Sequence, residues 1–301
     1  MTRGKQHYKE NIYDNAHATF FVATNTAMLD YPYIVGRYDQ STPTHAKQAE
    51  EYILDSAIGD HSVGNEDVLD RATDIGADTV VAADIKGDTL QTTENIIEMI
   101  EMEREREEDF EVLIPLQYDT FSTHVDHYED VKRAMSDIGE DIGEYRLYVG
   151  GINKKSADEQ IRRCVNLREH VGLDQYIHGL GMGAHRKWIV TIRRCPWLLD
   201  SFDNSSIVQN LVKSGKLWTV DADWVPFNRP RGTNSTVVSV QYREASLDLF
   251  NYMIGSDIRE EDAIESFADA DSDISEFVDN HEQWYQNQTV SDDSAVEVIA
   301  D

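Results

Sequence analysis

Residues 79–117 read TVVAADIKGDTLQTTENIIEMIEMEREREEDFEVLIPLQ, and this stretch decides the fold class. It opens on a β-rich run, Thr79-Val80-Val81-Ala82-Ala83, and closes on another, Val112-Leu113-Ile114-Pro115-Leu116. Between them Leu90, Ile96, Ile97 and Ile100 follow helical spacing, and the segment ends in Arg/Glu pairs that suit a solvated face. Strand, amphipathic helix, strand is the βα unit. The same texture extends both ways. Tyr52-Ile53-Leu54 precedes it, followed by Val68, Leu69, Ala72 and Ile75 at helical spacing. Tyr145 to Val149, Tyr176-Ile177-His178 and Trp197-Leu198-Leu199 follow it. Helical patterns at 124–138, 157–171 and 186–194 separate them, and Gly76, Gly139 and Gly172 stand at helix ends. The apolar runs recur every 22 to 34 residues or so, the size of a βα unit. Thr19 to Ala23 supplies a first strand and Leu217 to Val220 a last one. Eight candidate strands favour a closed (β/α)8 TIM-type barrel over an open doubly wound sheet. No GxGxxG or GxxxxGK[ST] loop follows the first strand, which counts against dinucleotide and P-loop folds.

The 301 residues carry 27 Lys and Arg against 57 Asp and Glu, a formal net charge of −30. Of the acids 33 are Asp, and Lys supplies only 10 of the basic residues. Such an acid-rich, Lys-poor composition suits molar salt, where screening removes most of the self-repulsion. The expected setting is the cytoplasm of a halophilic archaeal host, with the gene cellular or viral. No run approaches the length of a membrane span, and Met1 to Asn11 is too polar for a secretory signal. Two cysteines, Cys164 and Cys195, make neither a disulfide framework nor a four-ligand zinc site and read as buried small residues. The expected organisation is a barrel over 1–255 and an acidic helical extension with a frayed terminus over 256–301. Residues 153–243 are net basic, at +6, inside this acidic chain, for which a polyanionic partner and chance clustering on a solvated helix are the two explanations.

In a barrel enzyme the chemistry sits at the C-terminal ends of the strands. Just past the apolar runs lie Asp55-Ser56, Asp84, Gln117, Gly150-Gly151, the turn from His178 to Gly183, and Asp200 to Asp203. Any single strand-end Asp can simply cap the next helix. Several carboxylates and an amide converging on one rim suit chemistry at an anomeric carbon, where one carboxylate attacks and another moves protons. Asp and Gln can also read a purine edge, and glycines let a flat base approach the backbone.

The order LDS (54–56), AADIKGD (82–88), PLQ (115–117), VGGI (149–152), HGLGMG (178–183) and DSFDNSS (200–206) resembles the tRNA-guanine transglycosylase superfamily. It is most similar to the DNA-acting branch, the DpdA-type 7-deazaguanine DNA transglycosylases. The resemblance covers roughly residues 50–210. It implies Asp203 as the nucleophile that forms a covalent glycosyl-enzyme and Asp55 as general acid/base. It implies Asp84 and Gln117 as readers of the guanine-like base, with Gly150 and Gly151 lining its pocket. His178 and Gly181 fall in the glycine-rich turn before the nucleophile strand and are assigned to the substrate site. The reaction implied is exchange of guanine in a polynucleotide for a free 7-deazaguanine such as 7-cyano-7-deazaguanine, without a cofactor or metal.

The chain lacks the CxCxxC…H zinc site of the queuine-type enzymes and has no room for the RNA-binding domains of the archaeosine type. Those differences favour DNA over tRNA as the polymer. Arg186, Lys187, Arg193, Arg194, Arg229 and Arg231 are the expected phosphate contacts, with Trp218, Trp224 and Phe227 available to stack on unpaired bases. The target base must leave the stack to be attacked. A tRNA-acting enzyme and a non-catalytic nucleic-acid-binding barrel are the rival readings, and a homodimer or partner modification enzymes stay open. His124 and His127 read as surface histidines rather than a metal pair.

Overall fold

The computed structural model describes residues 18–24, 31–56, 63–182, 186–218 and 224–226, with 246, 247, 250, 251 and 254. Eight parallel strands close into a barrel in sequence order. They are β1 (Thr19–Ala23), β2 (Tyr33–Arg37), β3 (Glu51–Asp55), β4 (Thr79–Val81), β5 (Glu111–Leu116), β6 (Arg146–Val149), β7 (Ile177–Gly179) and β8 (Ser201–Asn204). β8 closes onto β1 with Phe21 opposite Asp203. Helices α1 (Pro43–Gln48), α2 (Asn65–Ile75), α3 (Thr89–Arg104), α4 (His124–Asp137), α5 (Ala157–Val171), α6 (Arg186–Arg194) and α7 (Ser206–Ser214) follow β2 to β8 in turn. The chain therefore has the (β/α)8 TIM-type barrel fold. Among the described residues no helix is long and apolar enough to cross a membrane. The extension over 256–301 lies outside the described residues.

Local chemistry sets the helix ends. The Asp88 side chain accepts the Gln91 N–H at the start of α3, and Thr123 and Asp126 form a reciprocal capping box on α4. Alternation along the strands sorts side chains into two cores. Val68, Leu69, Ile96, Met99 and Ile114 pack between sheet and helices. Phe21, Val35, Ile53, Val81, Leu113 and Tyr148 fill the barrel itself. Beneath that layer Arg146 pairs with Glu51 at 2.5 Å and Glu111 at 2.6 Å. Along its axis the barrel is thus ionic at the N-terminal end, apolar in the middle and acidic at the C-terminal mouth.

Three strand expectations need correction. Tyr33–Arg37 is a barrel strand that the apolar pattern did not mark, because Pro32 precedes it and Gly36 interrupts it. The Gly36 position must stay bare: a Cβ there would overlap the Tyr52 ring, whose hydroxyl donates to Ser41 Oγ at 2.7 Å. Trp197-Leu198-Leu199 is a buried run just before β8 rather than the strand itself. Lys216–Trp218 (β9) pairs antiparallel with Trp224–Pro226 (β10) outside the barrel, so the expected last strand is not one of the eight.

Candidate active site

A cleft of about 700 Å³ opens at the C-terminal mouth, with Asp55, Asp203, Gly151, Leu180 and Gly181 among its lining residues. Asp203 is the third residue of β8 and only 2% exposed. Its Oδ2 accepts from His178 Nε2 and from the Gly181 N–H, each at 3.1 Å. Gly181 turns its N–H to the carboxylate from the left-handed region, at φ +64°, where a side chain would be strained. The next residue fixes the turn: Asn204 Nδ2 donates to the Met182 carbonyl at 2.5 Å, and its Oδ1 accepts the Ser206 N–H at 2.6 Å. Asp200, expected on the same rim, lies before β8. Its Oδ2 accepts from the buried Arg168 guanidinium at 2.7 Å and from the Ile177 N–H at 2.8 Å. It therefore ties loop to strand at the opposite end of the barrel.

Asp55 ends β3 and is 8% exposed, on the cleft wall. Behind it Asp84 and Gln117 form a buried polar pair in which Gln117 Nε2 donates to Asp84 Oδ2. Ser56 Oγ donates to Asp84 Oδ1 at 3.4 Å. Burial outweighs these donors and pushes the Asp84 carboxyl up to about 6. Gln117 Oε1 is buried without a hydrogen-bond partner among the described residues. So is the hydroxyl of Tyr148, an inward residue of β6. Burial raises that phenol well above its ordinary value, and the charges of Asp55, Asp203 and Asp84 raise it further. Tyr148 is therefore a donor held among three carboxylates. Its place inside an apolar strand run gave no sequence signal.

Gly150 and Gly151 seat the Gln117 side chain. A Cβ at Gly150 would collide with the Gln117 amide nitrogen, and one at Gly151 would come within 2.7 Å of Gln117 Oε1. Two histidines hold this arrangement from behind. His124 Nε2 donates to the Gly150 carbonyl at 2.9 Å. The Gln117 N–H donates to His127 Nδ1 at 2.9 Å, which puts the His127 ring proton on Nε2, 3.1 Å from Thr93 Oγ1. Both histidines are buried rather than at the surface, and burial lowers both to about 4. The signal was present: 124, 127, 128, 131 and 135 trace one helix face, and all are buried. Among the described residues no group of three or more His, Cys, Asp or Glu could hold a metal ion.

Arg37, Lys86 and Lys154 line the cleft, and Arg37 also pairs with Asp39 at 3.2 Å. Lys187 pairs with Asp158 at 3.0 Å, Arg193 and Arg194 are half-buried on α6, and Arg186 opens that helix. Arg229, Arg231 and Phe227 lie outside the described residues. Trp218 and Trp224 are register partners in the β9–β10 ladder. His178 is fully buried beneath Asp203 and is not a lining residue of the cleft. No protein-family model matches the chain, and no curated protein matches it either.

Proposed function

We propose that this barrel is a base-exchange transglycosylase that replaces guanine in DNA with a free 7-deazaguanine through a covalent Asp203 intermediate. One observation carries the proposal. Two carboxylates, Asp203 and Asp55, line one cleft, and a third, Asp84, pairs with an amide behind it. That is the equipment for displacement at an anomeric carbon together with recognition of a purine edge. In the first half-reaction an Asp203 oxygen attacks C1′ of the target nucleotide. The C1′–N9 bond breaks, its electron pair leaves on the guanine, and Asp55 supplies the proton to that base. In the second, Asp55 takes the proton from the incoming base, whose nitrogen attacks C1′ and displaces Asp203. Two displacements retain the sugar configuration.

Asp84 as a carboxylate accepts from a ring N–H and an exocyclic amine, while Gln117 supplies the complementary amide. Arg37, Lys86 and Lys154 around the cleft suit an approaching phosphate backbone in a chain of net charge −30. The polymer has to present the base unstacked, by flipping or as a single strand. The acidic composition supports a working environment of molar salt, in the cytoplasm of a halophilic archaeon or of its virus's host.

The test is incorporation of labelled guanine and 7-cyano-7-deazaguanine into DNA and tRNA, side by side in molar potassium chloride, with Asp203→Asn as control. Label in DNA that Asp203→Asn abolishes, with nucleic-acid binding retained, is the expected result. Label in tRNA alone would keep the chemistry and change the polymer. No label in either would favour a non-catalytic binding subunit.

A further inference from the structure

We propose that Tyr176, Ser201 and His178 form a one-way hydrogen-bond chain that holds His178 as its Nε2–H tautomer and makes it the positioning residue of Asp203. The chain follows from strand alternation. Tyr176 and His178 are two apart at β7, Ser201 and Asp203 are two apart on β8, and His178 and Ser201 are register partners. Four polar side chains therefore zigzag up the inside of the barrel. The Tyr176 hydroxyl donates to Ser201 Oγ at 2.8 Å. Ser201 Oγ lies 2.7 Å from His178 Nδ1, and His178 Nε2 lies 3.1 Å from Asp203 Oδ2. Ser201 and His178 are fully buried.

The two ends fix the direction. At the lower end burial pushes the Tyr176 phenol up to about 12, so it keeps the proton that it donates to Ser201 Oγ. The Arg146 guanidinium sits 4.6 Å over its ring, itself paired with Glu51 and Glu111. At the upper end Asp203 Oδ2 accepts from both His178 Nε2 and the Gly181 N–H. Ser201 has one proton. Having accepted from Tyr176, it gives that proton to Nδ1, which leaves the ring proton of His178 on Nε2, aimed at Asp203. The ring plane is set from two sides. Tyr148 stacks on it at 4.9 Å and 18°, and Phe21 meets it edge-on at 5.4 Å. Asp55, Asp84 and the Tyr148 phenol are the other titratable groups of the cleft floor, and none of them interrupts the chain. Among the described residues both hydrogen bonds to Asp203 fall on Oδ2, so Oδ1 is the oxygen left to attack.

The experiment reads the imidazole directly and then the reaction. In the full chain with ¹⁵N-labelled histidine, the neutral His178 ring should show an unprotonated Nδ1 and a protonated Nε2. Ser201→Ala should shift both nitrogens, Tyr176→Phe should shift them the same way by less, and Ser201→Thr should restore the wild-type pattern. An Nδ1–H tautomer of the neutral ring in the wild type would overturn the proposal, as would unchanged nitrogens in both Ser201→Ala and Tyr176→Phe. The kinetic arm rests on the transglycosylase reading. There Ser201→Ala should lower kcat by roughly tenfold, leave KM for the free base unchanged, and be rescued by Ser201→Thr. A wild type with the expected tautomer and no exchange on any polymer would sink the reading while the chain stands. Exchange by a wild type with the wrong tautomer would sink the chain alone.

Discussion

At Asp84 burial and hydrogen bonding oppose each other, and burial wins. The carboxyl titrates at about 6 in the folded protein against 3.8 ordinarily, so between those values the folded state binds more protons than the unfolded one. Stability contributed by this group is therefore present below 3.8 and lost as pH rises to about 6. The shift corresponds to a burial cost on the order of 2–3 kcal/mol at neutral pH. Asp84→Asn should recover part of it, because the Gln117 amide can turn its unpartnered Oε1 toward the new Asn Nδ2. Thermal unfolding at pH 7 would then show a variant at least as stable as the wild type. Base binding should move the other way. Only the ionised carboxylate accepts two N–H donors, so affinity for free guanine or a 7-deazaguanine should rise with pH through about 6 and level off above it. Calorimetric titrations across that range should show the rise in the wild type, and in Asp84→Asn a weak, flat affinity. A flat profile in the wild type would remove Asp84 from base recognition.

Among elements, the turn after β6 is the most exposed to a single-atom test. Gly150→Ala brings a methyl onto the Gln117 amide, with Cδ only 3.3 Å away. The amide must swing aside, at a cost of about 1–3 kcal/mol in a packed site. Loss of the Gln117–Asp84 hydrogen bond should then weaken binding of the free base at least tenfold, with His124 still bound to the position-150 carbonyl. Unaltered affinity in a folded Gly150→Ala would show that Gln117 does not read the base. The same turn shows what a sequence makes legible. Gln117, Gly150 and Gly151 stand just past apolar strands, so the strand-end rule reaches them together with Asp55, Asp84 and Asp203. β8 itself was displaced by one step because its inward residues, Ser201 and Asp203, are polar. Hydrophobic periodicity fell instead on Trp197 to Leu199, which are buried without being a strand. Tyr148 and Tyr176 were hidden the opposite way, as polar tips on residues that read as strand filler. His124 and His127 were legible from helical spacing once Tyr128, Val131 and Met135 are read as the same buried face.

For the whole molecule, charge and burial make opposite demands on pH, and salt separates them. With a net charge of −30, self-repulsion falls as the Debye length shrinks from about 10 Å at 0.1 M salt to about 3 Å at 1 M. Melting temperature at neutral pH should therefore climb steeply with potassium chloride. His124 and His127 are different, because burial lowers them and bulk salt does not reach them. Their folded values of about 4 lie below the ordinary 6.5, so between the two the unfolded state binds more protons. The stability they contribute is complete above 6.5 and is lost as pH falls toward about 4. Over much of the same window Asp84 acts with the opposite sign, but it is one group against two. In molar salt, with surface repulsion screened, the unfolding free energy should consequently still fall from pH 6.5 to pH 4. His127→Asn keeps a side-chain oxygen for the Gln117 N–H and cannot take up a proton, so it should flatten this acid limb. Chemical denaturation at matched salt would check it. An acid limb that vanishes in molar potassium chloride would assign the pH dependence to surface charge, and an undiminished limb in His127→Asn would exclude that histidine as its source.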